Sequence, residues 1–240
     1  MRLLLLSNST NYGSGYLDHA AGEIAEHFAG VSRLLFVPFA LHDQKDYWEI
    51  ARRRFAAFGI EVDRLEAGAH APAAVENAAG VFVGGGNTFR LLDLMQRSGI
   101  IEPIRRRVAA GMPYMGSSAG TVVACPTIKT TNDMPIVFPA SFDALGLVPF
   151  QINCHYIDPD PASRHMGETR ERRLAEFLED NDAVVIGLRE GAMLRVVGSA
   201  GGGGLGVELR GTAGARLFRR GAAPVEQGPG PALADLLTSR

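Results

Sequence analysis

Short apolar segments alternate with amphipathic segments along the first two thirds of this 240-residue chain. The apolar segments, such as residues 3–6, 34–39 and 80–83, have the length of buried strands. The segments between them have helical periodicity, as in the residues YWEIARRRFAAF at 47–58. Because strands that alternate with helices form parallel sheets, this order predicts an α/β fold, a three-layer α/β/α arrangement around a mainly parallel sheet.

The last third of the chain has a different pattern. A strand at 151–156, a helix at 168–180 and a buried strand at 183–188 are followed by the segments MLRVVGS, LGVELRG and ARLFRR, which glycines separate. These segments lack helical periodicity and predict a small antiparallel meander, with the glycine run 201–206 as one of its turns. No linker divides the sequence. We therefore expect a single domain over 1–240, in which 221–240 form a mobile tail rich in Ala, Pro and Gly.

Charge and cysteine content argue against several classes of protein. The chain has 24 Lys and Arg residues against 26 Asp and Glu residues, a net charge of −2, whereas nucleic-acid-binding proteins usually have a basic excess. No apolar run approaches the ~20 residues of a membrane span, and the opening residues lack the apolar run of a signal peptide. Two cysteines are too few for a disulfide scaffold. We expect a cytoplasmic protein with no nucleic-acid or membrane partner.

The residues Gly116-Ser117-Ser118-Ala119-Gly120 fit the pattern G-x-S-x-G. In that pattern a serine lies on a tight turn between a strand and a helix, and the glycines leave it room. The pattern predicts Ser118 as a nucleophile and the backbone N–H of Ala119 as a donor to an oxyanion. Ser117 is the competing nucleophile, and the alternative interpretation is an ordinary turn whose serines cap a helix.

A second glycine cluster, at 84–86, also lies between a predicted strand and a predicted helix. A dinucleotide-binding loop would need glycine at 89, where Phe89 stands, and no Lys-Ser/Thr pair follows as in a Walker A loop. We expect this cluster to offer the N–H of Gly86 as the second oxyanion donor. The run 201–206 does match G-x-G-x-x-G, but strand-like residues follow it, which argues against a nucleotide site there.

A serine nucleophile needs a base, and the base needs an orienting acid. His155 follows an apolar strand, which favours it as the base, whereas His19 and His27 lie on a predicted surface helix and are expected to be solvated. Glu190 follows another buried strand, and Asp133 lies in a polar loop. Position favours Glu190 as the acid and leaves Asp133 for substrate contact. Metal-binding motifs are absent from the sequence, so we expect no metal and no cofactor.

The chain resembles the peptidase E family, the α-aspartyl dipeptidases among the class I glutamine amidotransferase-like serine peptidases. The resemblance extends over most of the chain and lies in segments that occur in order: LLLLSNST at the start, VPFA at 37–40, VGGGNTF at 83–89, SAG at 118–120, ACPTIKTTNDMPIV at 124–137, FDAL at 142–145, QIN-x-H at 151–155, GETRE at 167–171 and VIGL-x-EG at 185–191. Two departures are Ser117, where a large aromatic residue is common, and Cys154, which replaces a proline.

This resemblance implies a flavodoxin-like fold and a homodimer that cleaves dipeptides with an N-terminal aspartate (Asp-Xaa) without a metal. It implies Ser118 as nucleophile and His155 as base, and it leaves both Asp133 and Glu190 open as the acid. It implies Arg170 as the ligand of the substrate's β-carboxylate, since a guanidinium binds a carboxylate through two parallel hydrogen bonds. The matched residues Asn87 and Thr88 are further candidates for substrate binding. The alternatives are a cyanophycinase-like hydrolase and a non-catalytic domain that binds a small ligand or a partner protein.

Overall fold

The computed structural model describes residues 1–160, 162, 164, 166–198 and 204–230, and it confirms the α/β fold. The described strands are β1 (Arg2–Leu6), β2 (Arg33–Val37), β3 (Glu61–Arg64), β4 (Val81–Val83), β5 (Tyr114–Ser117), β6 (Gln151–Cys154), β7 (Val185–Leu188), β8 (Ala192–Gly198), β9 (Leu205–Gly211), β10 (Ala215–Phe218) and β11 (Val225–Gln227). The described α-helices are α1 (Ala21–His27), α2 (Gln44–Ala56), α3 (Ala71–Glu76), α4 (Thr88–Arg97), α5 (Ile101–Ala109), α6 (Ala119–Val122) and α7 (Arg170–Asp180).

Seven strands form the main sheet in the order β3-β2-β4-β5-β1-β8-β9. The first five of these are parallel, whereas β8 pairs antiparallel with β1 and β9 pairs antiparallel with β8. A second sheet has the order β11-β10-β7-β6, in which β6 and β7 are parallel. The antiparallel C-terminal segments are therefore present, but they are divided between the two sheets and do not form one separate meander.

Alternate residues of each central strand pack on opposite faces of the main sheet. Leu3 and Leu5 of β1 belong to a core that includes α4 and α5, whereas Leu4 and Leu6 belong to a core that includes α1 and α2. This period of two, with both faces apolar, is what a parallel sheet between two layers of helices requires. It accounts for the uninterrupted leucines at the start of the chain.

Some local predictions need correction. His27 is only 8% exposed and its ring lies edge-on to Phe28, so the expectation of a solvated His27 is wrong; His19 is half-buried. The short helix α3 was not predicted. Part of the predicted turn at 201–206 lies outside the described residues, as do 231–240 of the predicted mobile tail, while β11 lies within 221–230. No helix of the described ranges is long and apolar enough to cross a membrane.

Candidate active site

The candidate site lies where four strands of the two sheets end. Ser118 follows β5, His155 follows β6, Glu190 lies two residues after β7, and the glycine cluster at 84–86 follows β4. The carboxyl ends of parallel strands meet at one edge of a sheet, where α/β proteins commonly bind ligands. The predicted residues are therefore brought together by the fold although 106 positions separate Gly84 from Glu190 in the sequence.

Ser118 occupies a backbone conformation that few non-glycine residues adopt, with φ 51° and ψ −111°. It is the N-cap of α6, and its N–H donates to the carbonyl of Leu6. The flanking glycines permit this turn because a Cβ on Gly116 would overlap the carbonyl of Gly120, and a Cβ on Gly120 would overlap the carbonyl of Val83. The sequence G-x-S-x-G thus forms the tight strand-to-helix turn that its glycines predict.

His155 connects Ser118 to Glu190. Its Nε2 lies 2.9 Å from the Ser118 Oγ, and its Nδ1 lies 2.7 Å from the Glu190 Oε1. The Glu190 carboxylate can hold the Nδ1–H tautomer, which leaves Nε2 free to accept the serine proton. The arrangement can perform nucleophilic acyl transfer with general base assistance.

Two polar residues that the sequence analysis did not single out, Ser7 and Asn8, fix the positions of His155 and Glu190. The buried Ser7 hydroxyl donates to the Leu188 carbonyl at 2.7 Å and accepts from the His155 N–H at 2.9 Å. The Asn8 Oδ1 accepts from the N–H of Gly191, the residue after Glu190. The sequence could have indicated both residues, because they directly follow the buried strand β1 at the carboxyl edge of the sheet.

Two backbone N–H groups near Ser118 are available for an oxyanion. Gly86, with φ 133°, has no acceptor for its N–H within the described ranges. Ala119 is the first residue of α6, and a first-turn N–H has no partner inside its own helix. Both N–H groups therefore satisfy the requirement that an oxyanion donor be free.

Asp133 does not contact His155. Its Oδ2 accepts from the backbone N–H of Thr88 at 2.7 Å, from the Thr88 hydroxyl at 2.5 Å and from the Thr131 hydroxyl at 3.1 Å. Its Oδ1 accepts no hydrogen bond from any described residue. The carboxylate is thus fixed at the N-terminus of α4 through one oxygen, and the other oxygen is unused.

Asn87 and Thr88 contact the loop around Asp133 and do not line the cavity at Ser118. The Asn87 Oδ1 accepts from the Arg90 N–H and so caps α4, while its Nδ2 donates to the Met134 carbonyl at 2.9 Å. Thr88 makes the two bonds to Asp133. In this structure both residues hold the loop in place.

Arg170 begins α7 and lines a cavity of about 410 Å³ together with Asp158 and Glu168, separate from the cavity at Ser118. Burial and the charge of Arg173 lower the pKa of Arg170, and the negative charge of Asp133 opposes this shift. The structure thus places Arg170 in a different cavity from Ser118 and Asp133.

A cavity of about 550 Å³ opens beside the nucleophile. It is lined by Ser9, Tyr16, Leu41, Tyr47, Ile50, Gly85, Gly86, Ser118, Asp133 and His155. Cys154, the residue before His155, is buried, and burial raises the pKa of its thiol well above the usual value. Because the thiolate is the nucleophilic form of a cysteine, this burial argues against Cys154 as a nucleophile.

Comparison with known proteins gives consistent matches over the whole chain. Residues 3–201 match peptidase family S51. Peptidase E of Streptomyces coelicolor is 52% identical over 240 residues, which cover 100% of this chain and 96% of the relative. The probable alpha-aspartyl dipeptidase of Drosophila melanogaster is 46% identical over 237 residues, 98% of this chain and 95% of the relative.

Two crystal structures share the fold. A peptidase from an acI-B1 Actinobacterium superposes with a TM-score of 0.70 at 16% identity, covering 97% of this chain and 96% of that one. A putative peptidase E protein from Listeria monocytogenes superposes with a TM-score of 0.66 at 22% identity, covering 88% and 98%. At these identities the likeness extends to the fold alone.

Proposed function

The chain belongs to peptidase family S51, and we propose that it is a serine-type exopeptidase that hydrolyses Asp-Xaa dipeptides through an acyl-enzyme on Ser118. The match to this family and the names of the relatives, peptidase E and probable alpha-aspartyl dipeptidase, support the substrate class. The observation that carries the assignment of residues is the continuous contact from Ser118 through His155 to Glu190.

In the first half-reaction the Ser118 Oγ attacks the carbonyl carbon of the aspartyl residue while the His155 Nε2 takes the hydroxyl proton. The carbonyl oxygen becomes negative and receives hydrogen bonds from the N–H groups of Gly86 and Ala119. The C–N bond then breaks, and His155 returns the proton to the leaving amine. Glu190 stabilises the imidazolium that forms between these two steps.

In the second half-reaction water replaces the amine. His155 removes a proton from the water as it attacks the ester carbonyl, and it returns that proton to the Ser118 Oγ when the ester C–O bond breaks. Aspartate and the free enzyme are the products.

Two residues of opposite charge, Asp133 and Arg170, are the proposed ligands of the N-terminal aspartyl residue. The unused Oδ1 of Asp133, in the cavity with Ser118, is suited to the substrate's α-ammonium group. The Arg170 guanidinium, to which the family resemblance gives the β-carboxylate, lines the separate cavity at the start of α7 and is chemically suited to a carboxylate. Binding a free ammonium group one residue from the cleaved bond restricts the enzyme to the first residue of a peptide, which is what an exopeptidase requires.

A comparison of two adjacent serines tests this function. Ser118→Ala should abolish the release of leucine from Asp-Leu, measured by chromatography, while circular dichroism shows an intact fold. Ser117→Ala is the matched control, because Ser117 is the adjacent serine of the same turn, is fully buried, and has a hydroxyl without a hydrogen-bond partner in the described structure. Mass spectrometry should show one fluorophosphonate adduct on the wild type and none on Ser118→Ala. Turnover by Ser118→Ala would refute the proposal.

We further propose a cytoplasmic, single-domain homodimer over 1–240 that uses no cofactor and has no nucleic-acid or membrane partner. Both cysteines, Cys125 and Cys154, are free and buried, which suits a reducing compartment. Three exposed apolar side chains, Met134, Ile136 and Phe138, offer area for a second copy. Light scattering of the purified chain measures the oligomeric state directly.

A further inference from the structure

The Tyr47 hydroxyl contacts the glycine cluster and has no role in the mechanism above. It accepts a buried hydrogen bond from the N–H of Gly85 at 2.7 Å. Tyr47 lies on α2 and is only 7% exposed, so this bond joins a helix to the turn after β4 across 38 positions of sequence. A buried hydrogen bond between residues so far apart in the sequence fixes the position of α2 relative to the turn.

The bond determines which N–H of the turn is free. Of the four consecutive N–H groups from Gly84 to Asn87, three have acceptors, which are in chain order the Val37 carbonyl, the Tyr47 hydroxyl and the Ala40 carbonyl. The group left over belongs to Gly86, which lines the cavity with Ser118. Tyr47 thus binds the N–H directly before the proposed oxyanion donor.

The Tyr47 ring has little room to move. Its ring centroid lies 5.0 Å from that of Phe36 and 6.3 Å from that of Tyr16, in both cases edge to face. On the turn side, a Cβ on Gly84 would lie 2.7 Å from the Tyr47 hydroxyl oxygen, so the backbone packs directly against the phenol. The hydroxyl is therefore held at the turn by packing on two sides.

We infer that Tyr47 is a positioning residue for the oxyanion hole, an inference that rests on the proposed function. By accepting from Gly85, it sets the orientation of the Gly84–Gly85 peptide plane and hence of the next peptide, which carries the Gly86 N–H. Without the hydroxyl, the buried Gly85 N–H lacks an acceptor, and the turn has to reorient to find one. Burial raises the pKa of Tyr47, which keeps the phenol neutral in the usual working range of pH.

The variant Tyr47→Phe tests this inference, because it keeps the packed ring and removes only the hydroxyl. We expect kcat for Asp-Leu to fall about tenfold to a hundredfold, since loss of a whole oxyanion donor costs about 10²–10³ and a displaced donor less. KM should stay within about twofold, because the oxyanion exists only after attack. The rate of fluorophosphonate labelling should fall in parallel, since the phosphonyl oxygen enters the same hole.

Trp48→Phe is the matched control. Trp48 is the next residue of α2 and its Nε1 donates to the Val62 carbonyl, but it does not line the cavity with Ser118. We expect this variant to retain wild-type kcat and labelling rate. If Trp48→Phe loses as much as Tyr47→Phe, the effect belongs to the general placement of α2 and the inference is wrong.

The two readouts separate this inference from the proposed function. A wild type that is labelled but does not cleave Asp-Leu refutes the substrate class, while the labelling rates of the variants still decide the role of Tyr47. Equal labelling rates for the wild type and Tyr47→Phe overturn the inference even if the dipeptidase activity is real. A lower melting temperature with unchanged kcat and labelling also overturns it, since Tyr47 then serves the fold alone. A wild type that is not labelled refutes both.

Discussion

The Nδ1 of His155 lies 2.7 Å from the Oε1 of Glu190, whereas Asp133 is bonded to Thr88 and Thr131 and does not reach the imidazole. The two acids that the sequence left open thus occupy different environments. Glu190 contacts His155, whereas Asp133 lines the cavity and has one carboxylate oxygen without a hydrogen-bond partner among the described residues. This difference predicts different kinetic effects for the two amide substitutions.

Glu190→Gln should lower kcat for Asp-Leu about a hundredfold with little change in KM. The amide keeps the size of the side chain but no longer stabilises the imidazolium, a cation that forms only during the reaction. The Glu190 side chain is 56% exposed, so water replaces part of the lost interaction and the effect is smaller than for a buried acid. Glu179→Gln, which removes an exposed acid of α7, is the control for loss of charge. Unchanged kcat in Glu190→Gln would show that the contact is not used.

Asp133→Asn should chiefly raise KM, by about tenfold or more, because its free oxygen is assigned to the substrate's ammonium group, which is bound equally before and during reaction. The measurement compares Asp-Leu with N-acetyl-Asp-Leu, which lacks that charge. For the acetylated peptide the wild type and the variant should be equally poor. A large kcat loss on Asp-Leu with unchanged KM would instead place Asp133 among the groups that act on the transition state.

Gly120→Ala should destabilise the fold by about 1–3 kcal/mol or more, since the added methyl would overlap the Val83 carbonyl, which is backbone and not the end of a flexible side chain. Gly22→Ala is the matched control. Gly22 is exposed on α1 with no atom within 4 Å of the position of a Cβ, so alanine there should stabilise the protein by about 0.5–1 kcal/mol. Urea unfolding followed by circular dichroism measures both. Equal urea midpoints for Gly120→Ala and wild type would contradict the close approach.

Ser118, His155 and Glu190 could be predicted because each follows a buried strand, and the end of an apolar run can be recognised locally. Tyr47 could not, since it is an apolar-face residue of α2 whose role depends on a contact 38 positions away. The bond from Thr88 to Asp133 spans 45 positions and was hidden for the same reason. The local sequence pattern predicts which helix or strand a residue belongs to. Contacts between helices and strands depend on tertiary packing, which the local pattern does not specify.

The division of the strands into two sheets could not be predicted from the sequence either. β5 and β7 are both fully buried strands, and a buried parallel strand appears as an apolar run whichever sheet contains it. The C-terminal strands show the same limit: β9 pairs with β8 in the main sheet, while β10 pairs with β7 in the other. Alternation predicts that a segment is a strand but does not identify its partner.

The burial of His27 predicts that the folded protein loses stability in mild acid. Burial, reinforced by the positive charges of Arg2 and Arg195, lowers its pKa to about 4. The unfolded chain protonates this histidine near pH 6.5, whereas the folded protein keeps it neutral down to about pH 4. Between these values the unfolded state binds the extra proton, so the free energy of unfolding decreases as the pH falls, by about 3 kcal/mol in total for this one group.

His27→Gln should flatten this dependence, because glutamine does not titrate. The measurement is the free energy of unfolding in urea at several values between pH 7 and pH 4, and the slope against pH is the quantity to compare. The slope matters more than the absolute stability, since the substitution also changes packing beside Phe28 by an amount that does not depend on pH. His42→Gln, at an exposed loop position, should leave the wild-type slope unchanged. Parallel curves for His27→Gln and the wild type would mean that His27 is accessible to protons in the folded state, contrary to its burial.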